Sequence, residues 1–245
     1  MNPVAAGHLR PASPCGRPVT WAATGRSGGV SEAPWSSLNL SATVGDDPEH
    51  VQANRRTAAA LVGAAHLCVL DARHGATVQV ATGAGIAAGA DGVVTREHGL
   101  ALLALAADCV PVVLADPDAG VIAAAHCGWR GLGAGIIDAT VRQMRALGAT
   151  DIIAISGPAI CAACYPVGQD CIDELRAGLP PQVLARVARR TGDQWRVDVR
   201  AGVHLQLQAH GVQVRGIARC TFEDAGLFSY RRDAVTGRHG MIVVQ

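Results

Sequence analysis

The chain has 245 residues, of which 49% are hydrophobic and 17% charged, and this excludes a collagen-like or wholly disordered protein. Its 21 basic and 20 acidic residues leave a net charge of +1, so no global field draws it to nucleic acid or an anionic membrane. Every basic residue is arginine, which excludes Schiff-base, lysine-nucleophile and phosphate-loop lysine chemistry. Aromatic residues make up 3%, too few for a base-stacking nucleic-acid platform. The 8 cysteines are too sparse for a disulfide scaffold. No run is apolar for the roughly 20 residues a membrane span needs, and no signal-peptide core is visible. The expectation is a cytoplasmic protein with reduced thiols and no membrane partner.

In chain order, residues 1–18 carry Pro3, Pro11, Pro14 and Pro18 and no apolar period, and predict a disordered tail ahead of one domain over 19–245. Arg26-Ser27-Gly28-Gly29 marks a loop. Asp46, Asp47, Pro48 and Glu49 mark a helix start, with Val51, Ala58, Leu61 and Val62 on one face and Gly63 as the stop. Leu100–Ala106, Val110–Ala115 and Val121–Ala125 predict buried strands, the last two joined as a hairpin through Asp116-Pro117-Asp118-Ala119-Gly120. Ile136 to Leu147 has helical period, and Gly148 can end it. Ile152–Ile155 is a further strand, with others near Val197, Val212–Val214 and Met241–Val244. The reading is one α+β domain around a mixed sheet core.

Three residues place a soft or imidazole ligand near the end of an apolar run: His74, Cys109 and His126. They lie too far apart for a zinc finger, but their spacing suits neighbouring strands of one sheet. Two His and one Cys give zinc three ligands and leave a fourth place open, the catalytic arrangement. Spacing alone leaves open that all three are ordinary buried residues. If the strand geometry holds, Cys127 faces away from His126, because side chains alternate along a strand. Cys161-Ala-Ala-Cys164 is a CxxC without a second pair. Cys171 would make only a third ligand, and His204 and His210 are distant, so loop packing is the simpler reading. Glycines at 131, 133 and 135 open a helix beside Arg130 without matching a dinucleotide fingerprint, and they could hold an anion. Arg231-Arg232-Asp233 is either a solvated turn or an anion clamp.

Together the motifs resemble the YfiH/YlmD family, also called multicopper polyphenol oxidoreductase laccase-like proteins. The resemblance spans about residues 22 to 245. It rests on Arg26-x-Gly-Gly-Val-Ser31, Leu38-Asn39-Leu40, Val44-Gly-Asp-Asp47 with Asn54-Arg55, His74-Gly75 and Ala107-Asp-Cys-Val-Pro111. It continues through Asp116-Pro117, His126-x-Gly-Trp-Arg-Gly131, Gly157-Pro-Ala-Ile160, Cys220-Thr221, Phe228-Ser-Tyr-Arg-Arg-Asp233 and Thr236-Gly-Arg238. It implies a four-layer α/β/β/α sandwich and a metal, Zn²⁺ with copper as a possibility, on His74, Cys109 and His126. It also implies phosphorolysis of adenosine, inosine and methylthioadenosine, with adenosine deamination. Arg130 and Arg26 are candidate phosphate holders, and Asn39 a candidate nucleoside contact. A true multicopper oxidase needs His-x-His pairs, and the sequence has none. The chain departs from the family's usual Gln, Thr and Glu at Ala72, Ala106 and Pro166. Two other functions fit the same residues: an amidase that edits muramyl-serine in peptidoglycan precursors, and a scaffold without catalysis.

Overall fold

Alternation decides the architecture. Along Leu100–Ala106, Leu102 and Ala104 enter one core while Ala101 and Leu103 enter another, and both sets are fully buried. A strand with two dry faces must lie between two layers. The computed structural model describes residues 2–245. Its strands are β1 (Ala5–Leu9), β2 (Val19–Ala23), β3 (His66–Asp71), β4 (Val78–Val80), β5 (Gly85–Ala88), β6 (Gly92–Thr95), β7 (Leu100–Ala106) and β8 (Val110–Asp116). There follow β9 (Val121–Cys127), β10 (Ile153–Ser156), β11 (Pro166–Val167), β12 (Ala188–Thr191), β13 (Gln194–Val197), β14 (Gln213–Gly216) and β15 (His239–Val244). The helices are α1 (Pro48–Ala60), α2 (Trp129–Ala134), α3 (Ile136–Ala146), α4 (Gln169–Gly178), α5 (Pro181–Val187), α6 (Val199–Ala209) and α7 (Tyr230–Asp233).

Two six-stranded mixed sheets, ordered β1-β2-β15-β7-β3-β5 and β14-β10-β8-β9-β6-β4, pack face to face. Between them lie Leu70, Leu102, Met241 and Val243 of the first sheet and Val93, Val113, Ile122 and Ile155 of the second. Helix α1 covers the outer face of the first sheet through Ala58 and Ala59, which pack with Leu38, Leu103 and Ile242. The outer face of the second is covered by α2, α3, α4 and α6 through Leu132, Ile137, Ile172 and Val203. The result is the four-layer α/β/β/α sandwich, with one continuous core per layer boundary.

The expected hairpin is present as β8–β9, and Asp116 closes its turn by accepting the Asp118 and Ala119 N–H groups. Pro48 opens α1, with the Asp47 side chain accepting the Glu49 N–H.

The segment expected to be a disordered tail carries β1, which corrects that expectation. Ala5–Leu9 pairs antiparallel with Val19–Ala23, and the Asp118 carboxylate accepts the Ala12 and Ser13 N–H groups. The edge of β2 offers unpaired backbone groups that an extended chain satisfies, and composition does not reveal that pairing. No helix among the described residues is long and apolar enough to cross a membrane.

Candidate metal centre

Strand β9 brings the first candidate ligand. Ile122 and Ala124 point between the sheets, and His126 follows on the same face. There its Nδ1 lies 2.7 Å from the carbonyl oxygen of Leu105 in the opposing sheet. A carbonyl only accepts, so Nδ1 carries the proton and Nε2 presents a lone pair. That Nε2 is buried and has no hydrogen-bond partner. Burial also holds the imidazole pKa below its ordinary value, which keeps the ring neutral near pH 7.

Cys109 occupies the sharp connection between β7 and β8. Asp108 turns the chain there with φ of 101°. Its buried carboxylate accepts from Thr221 Oγ1 at 2.6 Å and from the Arg231 N–H at 2.7 Å. His74 follows β3 on an exposed loop, with φ of 63°. Its ring meets that of His126 edge-on, with centroids 4.9 Å apart. One ligand atom each from His74, Cys109 and His126 lies within 4.8 Å of the others. Two of the positive-φ non-glycine positions therefore flank one cluster, as is common where backbone strain serves a site.

The surroundings fit an ion in this position. A Cβ on Gly128 would lie 2.9 Å from Cys109 Sγ and 3.1 Å from His74 Nδ1, so only glycine leaves the ligands room. The buried Nε2 of His126 lacks the partner that burial demands, and a cation would supply it. The neutral His126 donates its other N–H to a backbone carbonyl, the usual support of a ligating histidine.

Asp91 ties two of the ligand loops together. It is 1% exposed; its Oδ1 accepts the Arg73 N–H at 2.8 Å, and its carbonyl accepts the His126 N–H at 2.7 Å. Sequence reasoning did not single it out, and its only local signal is an acid between Ala90 and the apolar β6.

The cluster opens on a cavity of about 700 Å³ whose walls include Arg55, Arg73, Arg130, Arg231 and Arg238, together with Tyr165 and Tyr230. Arg130 stacks 4.2 Å over the Trp129 ring and reaches Glu174 at 3.6 Å. Ala72 lies on the wall, and Pro166, where the family usually has Glu, gives its carbonyl to Arg231.

Arg26 and Asn39, the expected substrate contacts, are not among the residues that line this cavity. Arg26 is held by the Ser36 carbonyl and Asp233 and stacks on Phe228. Asn39 is fully buried. Its amide bonds the Ser41 carbonyl and Asp46, and its oxygen accepts from Ser41 and Arg238. Both hold the cavity wall from behind. Arg232 likewise turns inward onto the Thr221 and Leu227 carbonyls and Asp233, whereas Arg231 faces the cavity. Cys127 points to the opposite face of β9, into the core beneath the helices.

A soft-ligand triad at the open end of a face-to-face double sheet defines a sandwich protein with a candidate metal-centred cavity. The family model described as multi-copper polyphenol oxidoreductase laccase matches residues 20–245, and the chain belongs to that family, which is the YfiH/YlmD family. The chain is 47% identical over 235 residues to a Streptomyces griseus protein named purine nucleoside phosphorylase ORF3, covering 90% of this chain and 94% of that one. It superposes on the crystal structure of YlmD from Geobacillus stearothermophilus with a TM-score of 0.85 at 33% identity, over 100% of this chain and 98% of that one. YfiH from Bacillus licheniformis gives the same TM-score at 30% identity, over 92% of each chain.

Proposed function

We propose that the chain is a Zn²⁺-dependent purine nucleoside phosphorylase that accepts adenosine, inosine and methylthioadenosine and also deaminates adenosine. His74, Cys109 and His126 hold the ion. The observation that carries this reading is the unpartnered, buried Nε2 of His126 beside Cys109 and His74, at the wall of an arginine-rimmed cavity. The purine nucleoside phosphorylase name of the Streptomyces griseus relative supports the substrate class. A single triad with no His-x-His pair favours this chemistry over phenol oxidation.

In phosphorolysis a phosphate oxygen bonds to the ribose C1′ as the bond from C1′ to the base nitrogen breaks, and the bonding pair leaves with the base. The chain's part is to hold a dianion in line with that carbon. Arg130 and Arg231 both border the cavity, and a guanidinium suits a phosphate through paired N–H donors. Arg130 is the catalytic candidate, because its long contact to Glu174 is easily exchanged for phosphate. Tyr165 and Tyr230 offer apolar faces for a purine. In deamination a water oxygen adds to purine C6 and ammonia departs; when bound, Zn²⁺ supplies Lewis acidity that brings the pKa of a water toward about 7.

The test is to incubate zinc-loaded protein with adenosine, with and without phosphate, and to separate the products. Adenine that forms only with phosphate, together with inosine in both reactions, is the expected result. Neither product would end this reading, and cleavage of a muramyl-serine amide without adenosine turnover would replace it with precursor editing.

A further inference from the structure

The CxxC pair, expected to be loop packing, meets two residues from a distant segment. Cys161 and Cys164 bracket a single 3₁₀ turn, Ala162–Cys164, while Cys220 and Glu223 lie on the loop after β14. An isolated parallel bridge between Ala159 and Cys220 sets the two segments side by side. The Cys161 N–H donates to Cys220 Sγ at 3.3 Å, and Cys164 Sγ donates to Glu223 Oε1 at 3.4 Å. One ligand atom from each of the four residues lies within 4.8 Å of every other.

Packing does not account for this convergence. The apolar cores take in Cys68, Cys127 and Cys171 but none of Cys161, Cys164 and Cys220, which are half-buried free thiols. A tetrahedral ion with bonds of about 2.3 Å sets its ligands roughly 3.8 Å apart, a spacing inside the 4.8 Å within which the four atoms already lie. Behind the cluster, Arg200 donates to the carbonyls of Ala159 and Arg219, and its buried Nε has no partner. A guanidinium braced against both segments offsets the charge of several thiolates.

We propose that Cys161, Cys164, Cys220 and Glu223 form a second metal site, closed by four ligands, that takes a thiophilic divalent ion such as Zn²⁺ and clasps the loop after β10 to the loop after β14. The clasp supports the cavity without facing it. Beyond Cys164 comes Tyr165, whose ring carries the Arg231 guanidinium at 4.8 Å. Beyond Cys220 comes Thr221, whose hydroxyl donates to Asp108 next to Cys109. Four protein ligands leave no place for substrate, so the role is structural.

Metal content measured on fully reduced protein, loaded with Zn²⁺ and washed with a weak chelator, tests the site. The expected values are two ions per wild-type chain and one per Cys161→Ser/Cys164→Ser chain. Cys109→Ala should also hold one, and its Co²⁺ form should show the strong thiolate-to-metal absorption of a multi-cysteine site. A second arm needs no variant: alkylation of wild-type protein followed by peptide mass mapping. Zn²⁺ should slow labelling of Cys161, Cys164 and Cys220 at least tenfold while leaving exposed Cys15 unchanged. Equal labelling of the three with and without Zn²⁺, or two ions retained by the double variant, would overturn the proposal. Loss of protection at Cys109 alone would count against the cavity triad instead and leave the clasp intact.

Discussion

The two soft-ligand clusters of this molecule are built on opposite plans. His126 lies on β9 facing between the two sheets, Cys109 in the tight β7–β8 connection and His74 on the loop after β3, braced by Asp91 and Asp108 and by the Leu105 carbonyl. Cys161, Cys164, Cys220 and Glu223 sit on two surface turns braced mainly by each other and by Arg200. The first set offers three candidate ligands and lines the cavity; the second offers four, none of which lines that cavity. Rigid elements hold the open site in shape whether or not an ion is bound, whereas turns depend on the ion for their shape. An open site on a rigid frame suits chemistry, and a closed site on turns suits stapling.

The largest expected effect separates the clusters at one atom. Cys109→Ala should abolish turnover, by about 10³-fold or more, which is the scale of removing a transition-state group, while leaving the clasp's ion in place. Steady-state rates and metal content on the same sample check both halves. Gly128→Ala attacks the triad without deleting a ligand. Its Cβ would crowd Cys109 Sγ and His74 Nδ1, so triad affinity should fall on the order of 100-fold in competition with a chelator.

Asp91→Asn probes the bracing. It weakens the acceptor of the Arg73 N–H, and a loss of roughly 10-fold in triad affinity is expected, with activity recovering at high Zn²⁺. Recovery marks a positioning residue, whereas a fall in kcat that added metal does not restore would mean Asp91 acts on the reaction directly. Metal withdrawal from Cys109→Ala empties only the clasp. A ligand present at 100 times its Kd contributes about 2.7 kcal/mol, so the melting temperature should drop by roughly 5–10 °C. An unchanged melting temperature would erase the contrast between staple and catalyst. The smallest effect belongs to Cys127→Ala, which should keep both ions and most activity, because its thiol lies on the helix side of β9.

How far each cluster can be read from the sequence follows from its elements. The triad is legible because its residues adjoin apolar runs whose period identifies strands. The alternation that sends His126 between the sheets sends Cys127 to the opposite face. The clasp is not legible: Cys161-x-x-Cys164 lacks a second pair nearby, and its partners come from a loop beyond α6. Arg26 and Asn39 belong to sequence motifs, and motif membership does not distinguish a residue that touches a ligand from one that holds the wall behind it. The proline-rich composition of residues 1–18 hid the strand at Ala5–Leu9, because the edge that it completes belongs to β2, whose other side pairs with β15 far along the chain.

The sequence by itself determined the buried strands from Leu100 to Ala125, the capped start of α1, the β8–β9 hairpin and the identity of three candidate ligands. These depend on local period, capping chemistry and turn residues, which act over a few positions. Only the tertiary structure decided which arginines reach the cavity, that Asp91 braces two ligand loops, and that Cys220 and Glu223 meet the CxxC turn. Those facts depend on how two sheets stack and which loops then share one end. Stacking is driven by non-directional burial of apolar area, so it brings together residues that no local pattern pairs.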